Sequence, residues 1–264
     1  MKNGISILMF LSVIVVVSGC STVPITGRKQ LNLVSDAQLI PQSATSYEEV
    51  IKKGPLSTNK QQTELIKRVG RNISLAVEKY FRERNRMDLV EGFSWEFNLI
   101  EEDVPNAWCM PGGKVAFYTG ILPFTKDETG VAVVMGHEVA HAIARHSNER
   151  VSHQMVQQGG SYLASWFSKE TDYHDAIMMT YGLGSQYLAV LPYSREHESE
   201  ADQMGLIFMA MAGYNPEAAV EFWQRMGAAG GQKPPEFLST HPADDTRVRE
   251  LREHMPEASK YYRP

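Results

Sequence analysis

The sequence predicts a mainly α fold with a small antiparallel β-sheet, that is, an α+β domain. Three patterns support this prediction. The stretch from Gln61 to Arg84 repeats apolar residues at helical spacing. Trp95, Phe97 and Leu99 alternate with polar residues, which is typical of a half-buried strand. The stretch from Gly130 to Ile143 is apolar almost all the way round, which is typical of a buried helix.

Composition and charge fit a globular protein and argue against nucleic-acid binding. The chain has 264 residues, of which 43% are hydrophobic and 22% charged, and its net charge is -5. This length suits one substantial domain or two small ones. Charges of both signs are mixed without a basic cluster, so we expect no nucleic-acid partner.

The first residues predict an export signal that is not part of the fold. Lys2 precedes an apolar run from Ile5 to Val17, which is too short to span a bilayer comfortably, and small residues then lead to Cys20. A plain signal peptide or a short membrane anchor would explain the same pattern. The ending Val-Ser-Gly-Cys resembles a bacterial lipobox, which implies that residues 1–19 are removed as a lipoprotein signal peptide and that Cys20 is lipidated. Several acyl chains would hold the protein at a membrane surface.

The residues after Cys20 extend this interpretation. Ser21 follows directly, which by resemblance to enteric-type lipoproteins implies a lipid anchor in the bacterial outer membrane, with the domain facing the periplasm. Residues 20–34 are polar and mixed, and we interpret them as a lipidated tether to a domain over residues 35–264. With Cys20 acylated, Cys109 has no partner within the chain, so we predict a small buried apolar residue there.

Caps and helix breakers divide the domain into helices around one small sheet. Pro111-Gly112-Gly113 separates two short segments, which predicts an antiparallel hairpin. Asn215-Pro216-Glu217 has the residues of a helix start. In order, the predicted elements are helix 36–53, helix 61–84, strand 95–99, the hairpin of 107–110 with 114–119, helix 130–157 broken by Gly159-Gly160, helical segments in 161–192, a helix from Ser194 to Ala212, a helix from Asn215 to Gly230, and a last charged helix after His241-Pro242.

His137, Glu138 and His141 form the pattern His-Glu-x-x-His inside the apolar helix. Residues four apart lie on one helix face, so both imidazoles can bind the same ion. Enzymes with this pattern use zinc to lower the pKa of a bound water to about 7, and the glutamate takes its proton. A pair of core histidines is the other interpretation, but an apolar helix offers such a pair few polar partners. We therefore predict a catalytic site for Zn²⁺, with one ion per chain.

A catalytic zinc needs a third protein ligand, and the segment from Ser194 to Asp202 offers candidates. Glu198 and Asp202 are four residues apart and share a helix face. Gly205 flanks that face and would allow a second helix to approach closely. Spacing alone leaves both His197 and Glu198 open as the third ligand.

Several segments together resemble one known family. His-Glu-x-x-His followed by Glu198-Ser-Glu-Ala-Asp202 resembles metallopeptidase family 48, gluzincins that include the CAAX prenyl proteases and the HtpX-like proteases. Thr22 to Gln38, Asn106 to Leu122 and Ser239 to Pro242 look like its bacterial single-domain periplasmic lipoprotein branch. The resemblance covers nearly the whole chain after Cys20 and implies a zincin-like gluzincin metalloprotease domain.

The resemblance also implies roles for individual residues. The implied zinc ligands are His137, His141 and Glu198. Glu138 would be the catalytic base, and Asp202 would accept a hydrogen bond from a ligand histidine and so orient its ring. His241 would approach the zinc and restrain activity, although a helix-capping or outer-sphere histidine would explain the same motif.

The sequence therefore predicts a membrane-anchored periplasmic zinc endopeptidase that hydrolyses misfolded or unassembled envelope proteins as quality control. The alternative is a chaperone-like protein-binding lipoprotein with a latent or structural zinc site. His241 and Tyr193 are both open as oxyanion donors. The hairpin either holds a peptide as an added strand or is purely structural. Four nearby residues are predicted to be ordinary: Glu196 and Glu200 on a solvated acidic face, and His146 and His153 at the surface or at a helix end.

Overall fold

A computed structural model describes residues 20–168, 191–229, 237, 241 and 245–263, and for residues 160, 162–168 and 191–194 it describes the backbone alone. The predicted signal peptide (residues 1–19), residues 169–190 of the predicted helical segments, and the side chain of Tyr193 lie outside the described residues. The chain divides into two compact units. The first comprises Met1–Gln38 and Arg145–His197, and the second comprises Leu39–Ala144 and Glu198–Pro264.

Helices dominate the described residues and the strands form two small sheets, which confirms the predicted mainly α fold class. The strands are β1 (Cys20–Thr22), β2 (Lys29–Leu31), β3 (Glu96–Ile100), β4 (Ala107–Met110) and β5 (Lys114–Tyr118). The α-helices are α1 (Asp36–Lys53), α2 (Lys60–Arg82), α3 (Leu122–Thr125), α4 (Glu128–Ile143), α5 (His146–Ser168), α6 (Leu191–Met211), α7 (Ala218–Ala228) and α8 (Asp245–Ser259). None of the described helices is both long enough and apolar enough to cross a bilayer.

In the first unit, a buried ion pair fastens the N-terminal segment to α5. β1 and β2 pair antiparallel, and β2 packs against α5. Arg28 donates two hydrogen bonds to the buried Glu149 of α5, at 2.8 and 2.6 Å, and His197 lies 2.9 Å from the same carboxylate. Burial would raise the pKa of Glu149, but its bonds with Arg28 and His197 lower it to about 2. The carboxylate therefore stays charged and paired near neutral pH.

The three-stranded sheet of the second unit is mixed. β4 pairs antiparallel with β5, which confirms the predicted hairpin, whereas β3 pairs parallel with the other side of β5. The predicted small antiparallel sheet thus also includes one parallel strand, β3. The chain reverses direction between β3 and β4 and again between β4 and β5, so β3 and β5 run the same way.

This sheet has two outer edges, and among the described residues only the edge of β3 is covered by another segment of the chain. Ser57 donates its backbone N–H to Leu99, and Glu101 donates to Pro55, so residues 55–57 cover the outer edge of β3. Among the residues that the structure describes, no strand pairs with the outer edge of β4. Backbone groups on that edge of β4 can therefore accept a further strand.

The long helix predicted over residues 130–157 is in fact two helices. α4 begins at Glu128, capped by the Asp127 carboxylate, which accepts the Gly130 N–H at 2.9 Å, and it ends at Ile143. Arg145 has a φ of 59°, a left-handed conformation that does not continue a right-handed helix.

Two further helix boundaries differ from the prediction. α5 runs through Gly159-Gly160 to Ser168, because glycine lowers helix stability by only about 1 kcal/mol and need not end a helix. α6 begins at Leu191, ahead of the predicted Ser194, with Pro192 in its first turn, where a missing N–H breaks no helical bond.

In the second unit, α4 and α6 approach each other at two glycines. A Cβ at Gly205 would lie 2.9 Å from the backbone nitrogen of His137 and 3.0 Å from the carbonyl carbon of Gly136. A Cβ at Gly136 would in turn lie 2.9 Å from the Gly205 oxygen. The close helix approach expected from Gly205 is confirmed. It brings the backbone of the helix that carries Glu198 against the helix that carries His137.

We predict that Gly205→Ala destabilises the protein by about 1–3 kcal/mol, because the added methyl meets backbone atoms that must shift. Gly159→Ala is the matched control, since a Cβ at that helical position meets nothing within 4 Å. The control should be neutral or stabilising by about 0.5–1 kcal/mol. Urea denaturation followed by circular dichroism measures both variants. Equal stabilities of Gly205→Ala and wild type would contradict the close approach.

Candidate metal centre

α4 presents the three residues of the His-Glu-x-x-His pattern inside the protein. His137, Glu138 and His141 are 2%, 3% and 8% exposed. The two imidazoles lie one helical turn apart, and their Nε2 atoms are 3.1 Å from each other. Two ring nitrogens therefore face one point, as the i, i+4 spacing predicts.

α6 brings a carboxylate to the same point. Glu198 Oε2 lies 3.3 Å from His137 Nε2, and Glu198 Oε1 lies 3.3 Å from His141 Nε2. Of the two residues that spacing left open, Glu198 joins the histidine pair, whereas His197 bonds Glu149 in the first unit.

Asp202, one turn further along α6, lies behind His137. Its Oδ1 is 2.9 Å from His137 Nδ1. An ionised carboxylate can only accept, so Nδ1 carries the proton and donates it to Asp202. When the imidazole is neutral, Nε2 of His137 is then the unprotonated nitrogen, and it faces Glu198 and His141.

His241 completes the cluster. Its Nδ1 lies 2.8 Å from Glu198 Oε2 and 3.1 Å from His137 Nε2, and its Nε2 lies 3.5 Å from Glu138 Oε1. Four residues each offer one donor atom, and the four atoms lie within 4.8 Å of one another: His137, His141, Glu198 and His241. In the described part of the chain, this is the group that the geometry picks out as able to hold a metal ion.

Sequence reasoning missed Arg247 of α8. This side chain is 5% exposed and donates to Asp202 through Nε at 2.7 Å and Nη2 at 2.8 Å, and to Glu198 through Nη1 at 3.1 Å. A signal for it exists in the sequence. Arg247 shares helical spacing with Leu251 and Met255, which face the core, so it places a charge on the buried stripe of α8.

Aromatic rings close the site behind these groups. The Trp223 ring lies 3.2 Å from the guanidinium carbon of Arg247 and meets the His137 ring edge-on, with 5.6 Å between centroids. Phe237 stacks on Trp223 and contacts the ring of His241 at 4.5 Å. These rings remove the polar cluster from water, which strengthens every charge interaction within it.

The charges of the site fit a divalent cation. Glu138, Glu198 and Asp202 are buried carboxylates, and Arg247 is the buried guanidinium that faces them among the described residues. When the three carboxylates are ionised, two negative charges remain unmatched, which is the charge of one divalent ion. Two neutral imidazoles and a carboxylate are also the donor set that Zn²⁺ takes in proteins. The residues present therefore fit such an ion.

The pKa shifts describe the same attraction for positive charge. Burial and Arg247 alone would lower the pKa of His137, yet hydrogen bonds with Asp202 and Glu198 raise it to about 9. Burial would raise the pKa of Glu198, but His141, His137 and His241 hold it well below its usual range. The buried carboxylates therefore make the centre favour a bound positive charge, which can be a proton on an imidazole or a metal ion.

Glu138 differs from the other two carboxylates. Its Oε1 is buried and has no hydrogen-bond partner among the described residues. Burial raises the pKa of Glu138, with His241 and His137 opposing that effect. A buried acceptor without a partner costs about 1–3 kcal/mol, so this oxygen points to a role with a bound water or substrate.

One prediction about a nearby residue is wrong, and another holds in one of its two alternatives. Glu200 is 5% exposed, not solvated, because α6 is enclosed along that face. His146 is fully buried at the start of α5, where its ring stacks on His197, so it is a helix-end residue but not a surface one. Glu196 is exposed, as predicted, and Cys109 is buried, as predicted.

A paired imidazole motif, a carboxylate from a second helix and a buried glutamate beside them define the centre of a metallopeptidase. The sequence model of Peptidase family M48 matches residues 67–255. The chain belongs to this family, which confirms the predicted family and enzyme class.

Three relatives illustrate the similarity. The mitochondrial metalloendopeptidase OMA1 of Schizosaccharomyces pombe is 40% identical over 178 residues, 66% of this chain and 51% of the relative. The human mitochondrial metalloendopeptidase OMA1 is 30% identical over 251 residues, 90% of this chain and 46% of the relative. The beta-barrel assembly-enhancing protease of Escherichia coli is 27% identical over 167 residues, 60% of this chain and 34% of the relative. The chain thus spans about half, or less, of the length of these relatives.

The comparisons contradict the predicted location at the bacterial outer membrane, facing the periplasm. The relatives with the higher identities are mitochondrial proteins by name, whereas the bacterial proteases match with lower identity over a shorter segment. The prediction rested on the lipobox-like ending and on Ser21, both by resemblance to enteric-type lipoproteins, and Ser21 is a half-buried residue of β1 outside the fold's core.

We predict that His141→Ala lowers metal affinity by more than about 100-fold, since even the loss of an outer partner of a ligand typically costs 10- to 100-fold. Elemental analysis after dialysis against Zn²⁺, with chelator competition for affinity, measures the change. His153→Ala is the control, because His153 lies outside the four-residue donor group. Stoichiometric metal in His141→Ala at wild-type affinity would contradict the site.

Proposed function

We propose that this chain is a zinc endopeptidase with Glu138 as its catalytic base. One observation carries the proposal: the donor atoms of His137, His141 and Glu198 converge beside a buried carboxylate oxygen that has no hydrogen-bond partner among the described residues. Membership of Peptidase family M48 and the metalloendopeptidase relatives support it.

The roles of the residues follow from their positions. His137, His141 and Glu198 would hold the ion. When bound, zinc supplies Lewis acidity, polarising a carbonyl and lowering the pKa of a water. Glu138 takes a proton from the attacking water as the water oxygen forms a bond to the scissile carbonyl carbon. As the C–N bond breaks, Glu138 returns that proton to the leaving amine. The raised pKa of Glu138 suits both transfers near neutral pH.

Asp202 has a supporting role in this scheme. It accepts the Nδ1 proton of His137 at 2.9 Å and so fixes the tautomer in which Nε2 can bind an ion. The ring can then neither flip nor rotate without losing a buried bond. Asp202 would thus act on the ion through His137.

We propose that the substrate binds as an added strand along β4. The outer edge of β4 has no strand partner among the described residues. α4 packs against β4, so the strand lies beside the helix that carries Glu138. Main-chain bonds to such an edge give affinity with little sequence preference.

We also propose a lipid anchor at Cys20 and a layout of signal peptide 1–19, a lipidated N-terminus 20–34 whose strand β2 packs against α5, and peptidase domain 35–264. Cys20 is exposed at the start of β1, where an acyl group can leave the fold. Misfolded or unassembled proteins at that membrane surface are the proposed substrates. A protease that binds backbone without sequence preference suits such substrates, and the name of the E. coli relative also refers to assembly.

A second candidate function follows from His241. A catalytic zinc keeps an open position, whereas four protein donors close the coordination sphere as in structural sites. His241 is the fourth donor of the cluster. The alternative is therefore a protein-binding chain with a latent or structural zinc site, in which His241 keeps the centre closed.

We predict that Glu138→Gln lowers hydrolysis of casein by about 10²- to 10⁴-fold, the usual contribution of a general base. Metal content should be unchanged, because Glu138 is not among the four donors. Glu196→Gln, on the exposed face of α6, is the control and should hydrolyse casein like wild type. Undiminished hydrolysis by metal-loaded Glu138→Gln would remove Glu138 from the mechanism.

His241→Phe separates the two candidate functions, since phenylalanine keeps the ring packed on Phe237. We expect several-fold faster casein hydrolysis with the metal retained, because the closing donor is gone. Initial rates and metal analysis on the same samples measure this. A fall of about 10²- to 10³-fold would instead assign His241 as the oxyanion donor.

A further inference from the structure

Arg247 connects the two carboxylates that α6 contributes to the centre. Glu198 and Asp202 are four apart on one helix, so two like charges share a buried face. The guanidinium contacts both: it donates twice to Asp202, at 2.7 and 2.8 Å, and once to Glu198, at 3.1 Å. A planar guanidinium can do this because its N–H groups point in fixed directions, whereas a lysine ammonium is a point charge.

We propose that Arg247 is a positioning residue of the metal centre, which locks Glu198 and Asp202 into one rigid unit and thereby orients both Glu198 and His137. This inference rests on the proposed zinc site. It concerns how the ligands are held, and Arg247 itself touches neither the ion nor the substrate.

The contacts of Arg247 restrict each carboxylate in a different way. Asp202 Oδ1 accepts from both Arg247 Nη2 and His137 Nδ1, at 2.8 and 2.9 Å. Because both nitrogens are donors, the 3.2 Å approach of Arg247 Nη2 to His137 Nδ1 is a consequence of this shared acceptor. On Glu198, Arg247 engages Oε2 and leaves Oε1 facing His141. Rotation of either carboxylate would break a buried charged bond.

Arg247 is itself immobilised. Its guanidinium carbon lies over the Trp223 ring, 3.2 Å from the ring centroid, and the same ring packs edge-on against His137. Phe237 stacks on Trp223, with 5.7 Å between the ring centroids. Cation–π contact in a dry environment is stronger than at a surface, so the guanidinium has a defined position and orientation. The carboxylates are therefore held by a fixed group.

Charge alone would act in the opposite direction. A positive group beside a metal site repels a cation, so removing it would strengthen metal binding if Arg247 contributed only its charge. If Arg247 acts by positioning, metal binding becomes weaker when its fixed N–H groups are lost and its positive charge is kept. Arg247→Lys therefore separates the two effects.

The test compares full-length wild type, Arg247→Lys and the control Arg249→Lys. Arg249 is exposed on the same helix and pairs with Glu253. We expect Arg247→Lys to bind Zn²⁺ about 10- to 100-fold more weakly in chelator competition, the range typical of outer partners of ligands. We also expect its Co²⁺ absorption spectrum to change, while Arg249→Lys matches wild type in both. Equal affinity and an equal Co²⁺ spectrum in Arg247→Lys would overturn the proposal.

Asp202→Asn supplies a second variant should Arg247→Lys fail to fold, as judged by near-UV circular dichroism. The amide keeps the shape of the side chain but removes the charged carboxylate to which Arg247 donates. The same loss of Zn²⁺ affinity is expected. Wild-type affinity in Asp202→Asn would then overturn the proposal. Failure of wild type to bind Zn²⁺ at all would refute the proposed function, whereas a zinc-binding wild type with unaffected variants refutes the role of Arg247 alone.

Discussion

The structure of the second unit depends on one constraint, which is that ionised carboxylates lie inside an apolar core. The effective penalty for taking a charged group out of water is several kcal/mol, even after relaxation. Glu138, Glu198 and Asp202 are tolerable there because positive and hydrogen-bonding groups beside them offset much of their charge. Arg247 contributes a full positive charge, and the imidazoles of His137 and His241 contribute nitrogens at hydrogen-bond distance. The remaining imbalance is of the sign and size that a divalent cation would neutralise.

Precision in this cluster comes from rigid elements placed close together. Two candidate donors, His137 and His141, lie one turn apart on α4, and Glu198 and Asp202 lie one turn apart on α6, so each helix fixes a pair of groups at known spacing. The backbones of the two helices touch at Gly136 and Gly205, which leaves no side chain between them to vary the distance. Sites built on helices in this way hold their geometry better than sites on loops. The contact between Gly136 and Gly205 therefore sets the distance between the donor atoms of α4 and those of α6.

The local parts of this design could be predicted from the sequence, and the long-range parts could not. His137, Glu138 and His141 lie within one helical turn, where spacing alone determines which groups share a face. Arg247 meets partners 45 and 49 residues away, and its helix contains several other charges, so only its place on the buried stripe distinguishes it. The parallel pairing of β3 and the left-handed Arg145 likewise depend on tertiary contacts, because neither leaves a residue pattern of its own.

A backbone path joins His241 to the edge of the sheet. His241 donates its N–H to the Phe237 carbonyl at 2.9 Å, and Phe237 donates its N–H to Pro105 at 3.0 Å, two residues before β4 begins. The side chain of His241 meets both the donor cluster and Glu138. His241 is thus connected to the donor cluster through its side chain and to the residues before β4 through two backbone hydrogen bonds.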